Sequence, residues 1–391
     1  MTPNSRTTVV GGGLTGLVAA IALAEGGAGV TLLEAQSTLG GRARTSSPPF
    51  RANLGPHVLY CDGPAWVWLS ERKLVDDRIA PRAPLATMAA IRFRVSGSRR
   101  RVPPGSMVKA VMTRGAVAPV SETFFEWATR QWGPEVARLL SNLAGVFTFD
   151  YDPGRLSAAF VWERLRRVFA PRLPTARYVT GGWGVLVDRL AERAVALGVE
   201  IRTGSGAERL PESRPVIIAT ELRSARALLG DESVRWEGSH VALLDVGISA
   251  RRGDPFVVSD LDAPGWVEKF SAADRSLAPK GRDLVQVQIG LRPAETLEDG
   301  VGRAEDLLDC GYPEWRTREH WRRRSGLQSR SGALDLPGST WEDRPAIDRG
   351  DGVFLAGDMV AAPGLLSEVG FNSALRAAEL ARSVLTRAVA V

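Results

Sequence analysis

Thr7-Thr8-Val9-Val10-Gly11-Gly12-Gly13-Leu14-Thr15-Gly16-Leu17-Val18-Ala19-Ala20-Ile21-Ala22-Leu23-Ala24 decides the fold class of this chain. A β-branched run leads into a glycine cluster, and small and apolar residues of a buried helix follow. Gly26 and Gly27 stop that helix, and Val30-Thr31-Leu32-Leu33-Glu34 reads as a second strand. Parallel strands need a crossover, so the stretch is a β-α-β unit. Gly11, Gly13 and Gly16 form G-x-G-x-x-G in that setting. The first glycine permits a tight turn, the second lets a pyrophosphate approach the backbone, and the third allows close helix–strand packing. The helix start offers free N–H groups and a partial positive charge. Glu34 follows Gly11 by 23 residues, where a carboxylate can accept hydrogen bonds from an adenosine ribose. Glycine-rich turns also serve purely structural ends, but here strands, helix and acid stand in register. A dinucleotide site is expected, with Leu14, Thr15 and Ala35 beside it.

Working outward, 391 residues at roughly 150 per domain imply two or three folding units. With 44% hydrophobic and 24% charged residues, the composition is that of an ordinary globular protein rather than a disordered one. No run approaches the ~18 apolar residues of a spanning helix. The opening Met1-Thr2-Pro3-Asn4-Ser5-Arg6 lacks the features of a secretory leader, so a cytoplasmic location is expected. Cys61 and Cys310, with three histidines, are too few for a disulfide framework or a structural zinc site. Four of the 50 basic residues are lysines, leaving 46 arginines and a formal charge of +6. That charge is spread along the chain without a reading motif, so no nucleic-acid partner is expected.

Three further segments set the organisation. From 81 to 174 prolines recur and aromatic helical stretches follow, with Phe124, Phe125, Trp127 and Trp132 in one and Phe160, Trp162 and Phe169 in another. This reads as an inserted, mostly helical region. Tyr178 to Gly184 precedes an amphipathic helix to about Ala196, and Val199–Ile201 and Val216–Ala219 look like buried strands returning to the first sheet. Residues 240–290 alternate as an antiparallel sheet does. An Arg-rich polar stretch, Arg316 to Arg330, then precedes Val353-Phe354-Leu355-Ala356-Gly357-Asp358 and a C-terminal helix.

Gly40-Gly41-Arg42-Ala43-Arg44-Thr45 is a second glycine–arginine element. At this point the chain resembles the superfamily of FAD-dependent amine oxidases, phytoene desaturases and protoporphyrinogen oxidases. Gly181-Gly182-Trp183-Gly184-Val185-Leu186 is similar to the family's G-G-M-G-x-L segment, with Trp183 in place of Met. Gly357-Asp358 resembles the G-D signature that closes FAD sites, and Gly370-Phe371-Asn372-Ser373-Ala374 would open a helix facing the flavin. The resemblance implies an α/β chain with a Rossmann-like FAD-binding domain (1–80, 175–235, 345–391). Into it is inserted an α+β substrate domain of antiparallel sheet plus helices (81–174, 236–344). It implies non-covalent FAD held by Gly11, Gly13, Leu14, Thr15, Gly16, Glu34 and Ala35 of the first unit, and by Gly41 and Arg42 of the second. Gly55, Pro56 and His57, then Gly357, Asp358, Gly370 and Phe371, complete that set. Arg42 would pair with a phosphate oxygen and Asp358 would bind the ribityl chain.

The function so implied is an FAD-dependent oxidoreductase removing a hydride from a hydrophobic small molecule, in specialised or isoprenoid-like metabolism. Oxygen, a quinone or another acceptor would reoxidise the flavin. Alternatives are a double-bond isomerase without net redox change, an amine oxidase, and a non-catalytic flavin-binding protein. No tyrosine follows Gly357-Asp358, and the late segment carries Trp341, which weakens amine oxidation. Acid–base candidates are His57, which has Asn53 upstream where the family has an acid, and Lys269. The segment 99–118 mixes Arg99, Arg100, Arg101, Lys109 and Arg114 with Met107, Val108 and Val111. It reads as a solvated loop or as a peripheral contact with an anionic membrane.

Overall fold

The computed structural model describes residues 6–55, 57–113, 115–169 and 174–389, with backbone alone at 329–331 and 388–389. In chain order the strands are β1 (Thr7–Val10), β2 (Val30–Leu33), β3 (Leu59–Tyr60), β4 (Ile91–Val95) and β5 (Ser98–Arg100). They continue with β6 (Ala176–Arg177), β7 (Glu200–Arg202), β8 (Val216–Ile218), β9 (Gly238–Ser249) and β10 (Val257–Asp260). The last are β11 (Gly265–Glu268), β12 (Arg282–Gly290), β13 (Glu319–Ala333) and β14 (Val353–Leu355).

Five strands form a parallel sheet in the order β14-β8-β1-β2-β7. Every residue of β1, β8 and β14 is buried, as expected of strands covered on both faces. The helix Leu14–Glu25 supplies one cover through Leu17, Val18, Ile21 and Leu23. It packs against the helices Ser367–Val389 and Trp183–Ala196. The strands come from stretches more than 300 residues apart, since β1 lies at the start and β14 near the end.

Seven strands form a second sheet, β13-β9-β12-β11-β10-β4-β5, antiparallel except for the β10–β4 pair. Alternation divides its residues cleanly. Leu244, Val246, Val267, Val285 and Val287 face the helix Leu297–Gly311, whose Thr296 and Asp299 form a capping box. The other face looks toward the parallel sheet.

Three of these strands go beyond the sequence reading. The insert is helical over Gly105–Val111, Phe124–Trp132, Pro134–Thr148 and Ala158–Val168, but β4 and β5 form a hairpin on the sheet edge. Ile91-Arg92-Phe93-Arg94-Val95 carries the alternation, and Ser96 and Gly97 both take positive φ (51° and 71°), the twist-matched two-residue turn. The Arg-rich stretch, given no element from sequence, is largely β13, paired along β9. Its charges are matched side by side: Arg322 meets Glu305 and Glu319, Arg324 meets Glu298, and Arg323 points inward to Asp245.

The insert's rings are core. Trp127, Trp132 and Trp162 pack on one another at centroid distances of 5.1–5.3 Å, so they brace helices rather than line a ligand cavity. No helix among the described residues is long and apolar enough to cross a membrane.

Candidate cofactor and substrate cavity

The glycine turn after β1 shows three separate uses of a missing side chain. Gly11 sits at φ +109°, and a Cβ there would lie 2.5 Å from the Ala219 carbonyl oxygen. A Cβ on Gly16 would fall 1.8 Å from the Gly11 oxygen, so this glycine sets the helix against the strand and does not line the cavity. Gly13 is different, since nothing lies within 4 Å of its missing Cβ. It caps the helix without a side-chain acceptor, and the first turn holds no acidic residue. Donors at a helix start without such a partner are suited to an anion. Glu34, at the end of β2, is pinned by Gly12 N–H at 2.7 Å and Gln36 N–H at 2.8 Å.

The second glycine element is stitched to the first. Gly40 N–H donates to the Gly12 carbonyl at 2.8 Å, and Gly41 at φ +52° leaves its missing Cβ 3.6 Å from Gly13 Cα. This brings Arg42 under Asp358, 316 residues away, in a bidentate pair at 2.6 and 3.0 Å. The two side chains expected to act separately are thus each other's partners, because opposite charges in a shielded crevice attract. Burial alone would raise the Asp358 carboxyl, but the Arg42 charge and its hydrogen bonds hold it below the ordinary range.

These groups line one cavity of about 990 Å³, at the upper end of small-molecule sites. Gly11, Gly13, Glu34 and Ala35 line one end. Leu14, Thr15, Gly41, Arg42, Gly357 and Asp358 line the middle, with Gly370. Gly55 and His57 lie toward the far end; Pro56 is outside the described residues. His57 Nδ1 lies 2.7 Å from the Gly55 carbonyl, and its ring meets Trp183 edge-on at 5.0 Å. Asn53 accepts from Trp183 N–H and from the Thr45 hydroxyl, each at 2.9 Å. It therefore caps the helix Trp183–Ala196. The Trp183 indole N–H is buried without a partner in the protein, in a residue that lines the cavity.

The far end is the inner face of the second sheet. Val241 and Leu243 of β9, Trp266 of β11, Gln288 of β12 and Leu327 of β13 form its floor, joined by Phe149 from the insert. Glu268 shares this face. It is 7% exposed, and the Tyr178 hydroxyl donates to it at 2.6 Å. Desolvation pushes its carboxyl up to about 7, with hydrogen bonds from Tyr178 and Trp266 opposing.

Three expectations need correction. Lys269 is one residue past Glu268 and points the other way, 3.5 Å from Asp283 and donating to the Asp254 carbonyl at 3.3 Å. It is fixed in a structural pair and does not line the cavity. Phe371 is wholly buried, packed against Trp68, and is a core residue. The final helix begins at Ser367 rather than Gly370, so Leu366 and Ser367 bring its first turn to the cavity. Glu268 was legible only as a lone acid in Gly265-Trp266-Val267-Glu268, sharing the parity of Trp266.

A dinucleotide fits these residues: an uncapped helix start, a glycine whose missing side chain leaves open space, a pinned carboxylate and an unpaired indole donor. Among the described residues no cluster of metal ligands occurs. Residues 9–71 match the family described as NAD(P)-binding Rossmann-like domain. No curated protein matches the chain by sequence. Among solved structures, an oxidoreductase from Methanosarcina mazei is similar with a TM-score of 0.76 at 16% identity, covering 96% of this chain and 100% of that one. Cyclohexylamine oxidase from Brevibacterium oxydans gives 0.73 at 16% identity, over 98% and 100%. Reduced UDP-galactopyranose mutase gives 0.70 at 14% identity, over 97% and 96%. At these identities the likeness is one of fold. The chain shares the fold of these structures, with a Rossmann-like dinucleotide-binding unit at its start.

Proposed function

We propose that this chain is an FAD-dependent oxidoreductase that removes a hydride from an apolar small molecule. The supporting observation is the continuity of one cavity from the glycine turn and Glu34, past Arg42 and Asp358, to an apolar sheet face. FAD would be held without a covalent bond. The helix start and Gly13 would take the pyrophosphate, Glu34 the adenosine ribose, and Arg42 with Asp358 the flavin-side chain. When bound, the flavin supplies the hydride acceptor. The protein's own tasks are to bind, orient and exclude water. Val241, Leu243, Trp266 and Leu327 give an apolar floor, and His57 and Trp183 line the same cavity. Oxygen, a quinone or another acceptor would take the electrons onward.

The hydrophobic, isoprenoid-like substrate belongs to the same proposal, as does a peripheral membrane contact. Val102, Val108 and Met112 stand exposed beside Arg99, Arg100, Arg101 and Lys109; Arg114 lies outside the described residues. An isomerase without net redox change is a second reading, favoured by the fold likeness to a mutase. The test is a visible spectrum of the purified protein, then anaerobic incubation with candidate substrates. Bleaching that reverses on aeration supports the oxidoreductase. Turnover with no acceptor consumed supports the isomerase, and a protein that neither carries nor takes up flavin refutes both.

A further inference from the structure

The substrate end of the cavity holds a carboxylic acid that cofactor binding leaves idle. Glu268 ends β11 on the floor beside Trp266, with Phe270 as a neighbouring wall. A carboxylate offers about four lone-pair sites. The protein supplies the Tyr178 hydroxyl and the Trp266 indole, and among the described residues no basic side chain pairs with it. Lys269, the nearest cation in sequence, is turned to Asp283. In register across the sheet, Glu268 meets Gln286, which faces Asp245, which faces Arg323. The single cation of that row is already bound to Asp245. An acid left in a dry pocket without a counter-charge is costly for stability, and such groups concentrate where chemistry needs them.

We infer that Glu268 is the proton acceptor of the substrate end, receiving the hydrogen bond of a substrate N–H or O–H and taking that proton as the adjacent carbon is oxidised. This rests on the oxidoreductase reading above. The N–H or O–H bond breaks and its proton passes to the Glu268 carboxylate. The neighbouring C–H bond breaks with its electron pair, which leaves as hydride to the flavin, and a C=N or C=O bond forms. The substrate loses two electrons, the flavin gains them, and the proton on Glu268 departs to solvent. The substrate class is therefore an apolar amine or alcohol, not a bare polyene, since a hydrocarbon would leave this carboxylate buried and unanswered.

Desolvation makes the group a base poised near neutrality. The titratable groups around it are Tyr178, Tyr60 of β3 and Tyr312 after the helix Leu297–Gly311, with His57 on the same cavity. Burial pushes all three phenols up, so they stay neutral while Glu268 titrates.

The test uses the full chain and benzylamine, benzyl alcohol and toluene, which differ only at the polar end. Binding is followed by tryptophan fluorescence, since Trp183 and Trp266 line the cavity. Benzylamine should bind at least about tenfold more tightly than toluene at pH 8, because a hydrogen bond to a charged group is worth that much. That preference should fall about tenfold by pH 6 as Glu268 gains its proton, and E268Q should abolish both effects. In the flavin-loaded protein, the rate of anaerobic reduction should rise through about pH 7 and become flat in E268Q, with flavin content unchanged. Y178F keeps the carboxyl while removing a donor that lowers its pKa, so the profile should move to higher pH. A preference that survives E268Q, or a profile unmoved by Y178F, overturns the assignment. A protein that takes up no flavin yet keeps a Glu268-dependent preference overturns the cofactor reading instead and leaves Glu268 as a binding group.

Discussion

Adding one methyl group at Gly13 and, separately, at Gly16 pulls binding and stability apart. At Gly16 the new Cβ would lie 1.8 Å from the Gly11 carbonyl oxygen, which is backbone and cannot swing aside. Relieving that overlap means shifting the helix Leu14–Glu25 against the parallel sheet, and overpacking of this kind costs about 1–3 kcal/mol or more. At ~1 °C per kcal/mol for a chain of 391 residues, Gly16→Ala should lower Tm by roughly 1–4 °C. At Gly13 nothing lies within 4 Å of the new atom, so the sheet is untouched. The loss there is limited to the cap preference of Gly over Ala, at most about 1 kcal/mol. Its methyl group instead occupies the approach to the uncapped helix start. Losing one charge-assisted hydrogen bond to a phosphate is worth about 1.5–3 kcal/mol, or roughly 10–150-fold in FAD affinity. Circular dichroism melts of flavin-free protein and a calorimetric FAD titration measure the two effects. Should Gly13→Ala bind FAD as the parent does, or melt as low as Gly16→Ala, the assignment of Gly13 to the pyrophosphate is refuted.

Three further outcomes are expected. Glu34→Arg replaces an acceptor held by two backbone N–H groups with a cation, so purified protein should retain far less flavin by absorbance ratio; full retention would mean the adenosine end lies elsewhere. Asp358→Ala strands Arg42 in the cavity and should lower flavin content and alter the flavin spectrum. Because the folded Asp358 carboxyl lies below its ordinary value, its contribution is present at neutral pH and is lost as the pH falls below about 4, which acid melts of parent and variant should show as converging curves. Arg344→Met breaks a bidentate pair with Asp335 in which both side chains are at most 4% exposed, and should cost about 3–5 kcal/mol in urea unfolding. A loss under 1 kcal/mol would show that the pair is readily replaced.

The cofactor half was legible because its signals are local. A β-branched strand, a glycine turn and a small-residue helix sit within 20 residues, and each glycine has one physical use that its spacing announces. The substrate half was less legible because its signals are pairwise. Arg322 and Arg324 stand in a polar stretch whose charges gain a use only when Glu305, Glu319 and Glu298 are seen beside them. Glu268 and Lys269 are adjacent in sequence, and only strand parity decides which one reaches the cavity. The sequence favoured the lysine on likeness, and the sheet turned it toward Asp283. Arg42 and Asp358 were each found, but not their pairing, since a separation of 316 residues leaves no trace in either motif.

The two halves are held together by a polar seam that neither motif reveals. Gln286 and Arg323, from β12 and β13, both donate to the Asn53 carbonyl, while the Asn53 side chain caps the helix that begins at Trp183. Asp245 between them accepts from Gln286 and pairs with Arg323, while the buried Gln286 Oε1 has no partner among the described residues. One residue thus ties the inner face of the substrate sheet to a helix packed on the cofactor unit. The segment so anchored is the one that carries Gly55 and His57 into the cavity. Glu268 lies at the end of the same row, so whatever fixes Asn53 also fixes the distance from the cofactor wall to that carboxylate. Placing four polar side chains in one row, three of them buried, is justified by position rather than by stability: an apolar floor would pack as well, but it would not set the register between the two sheets.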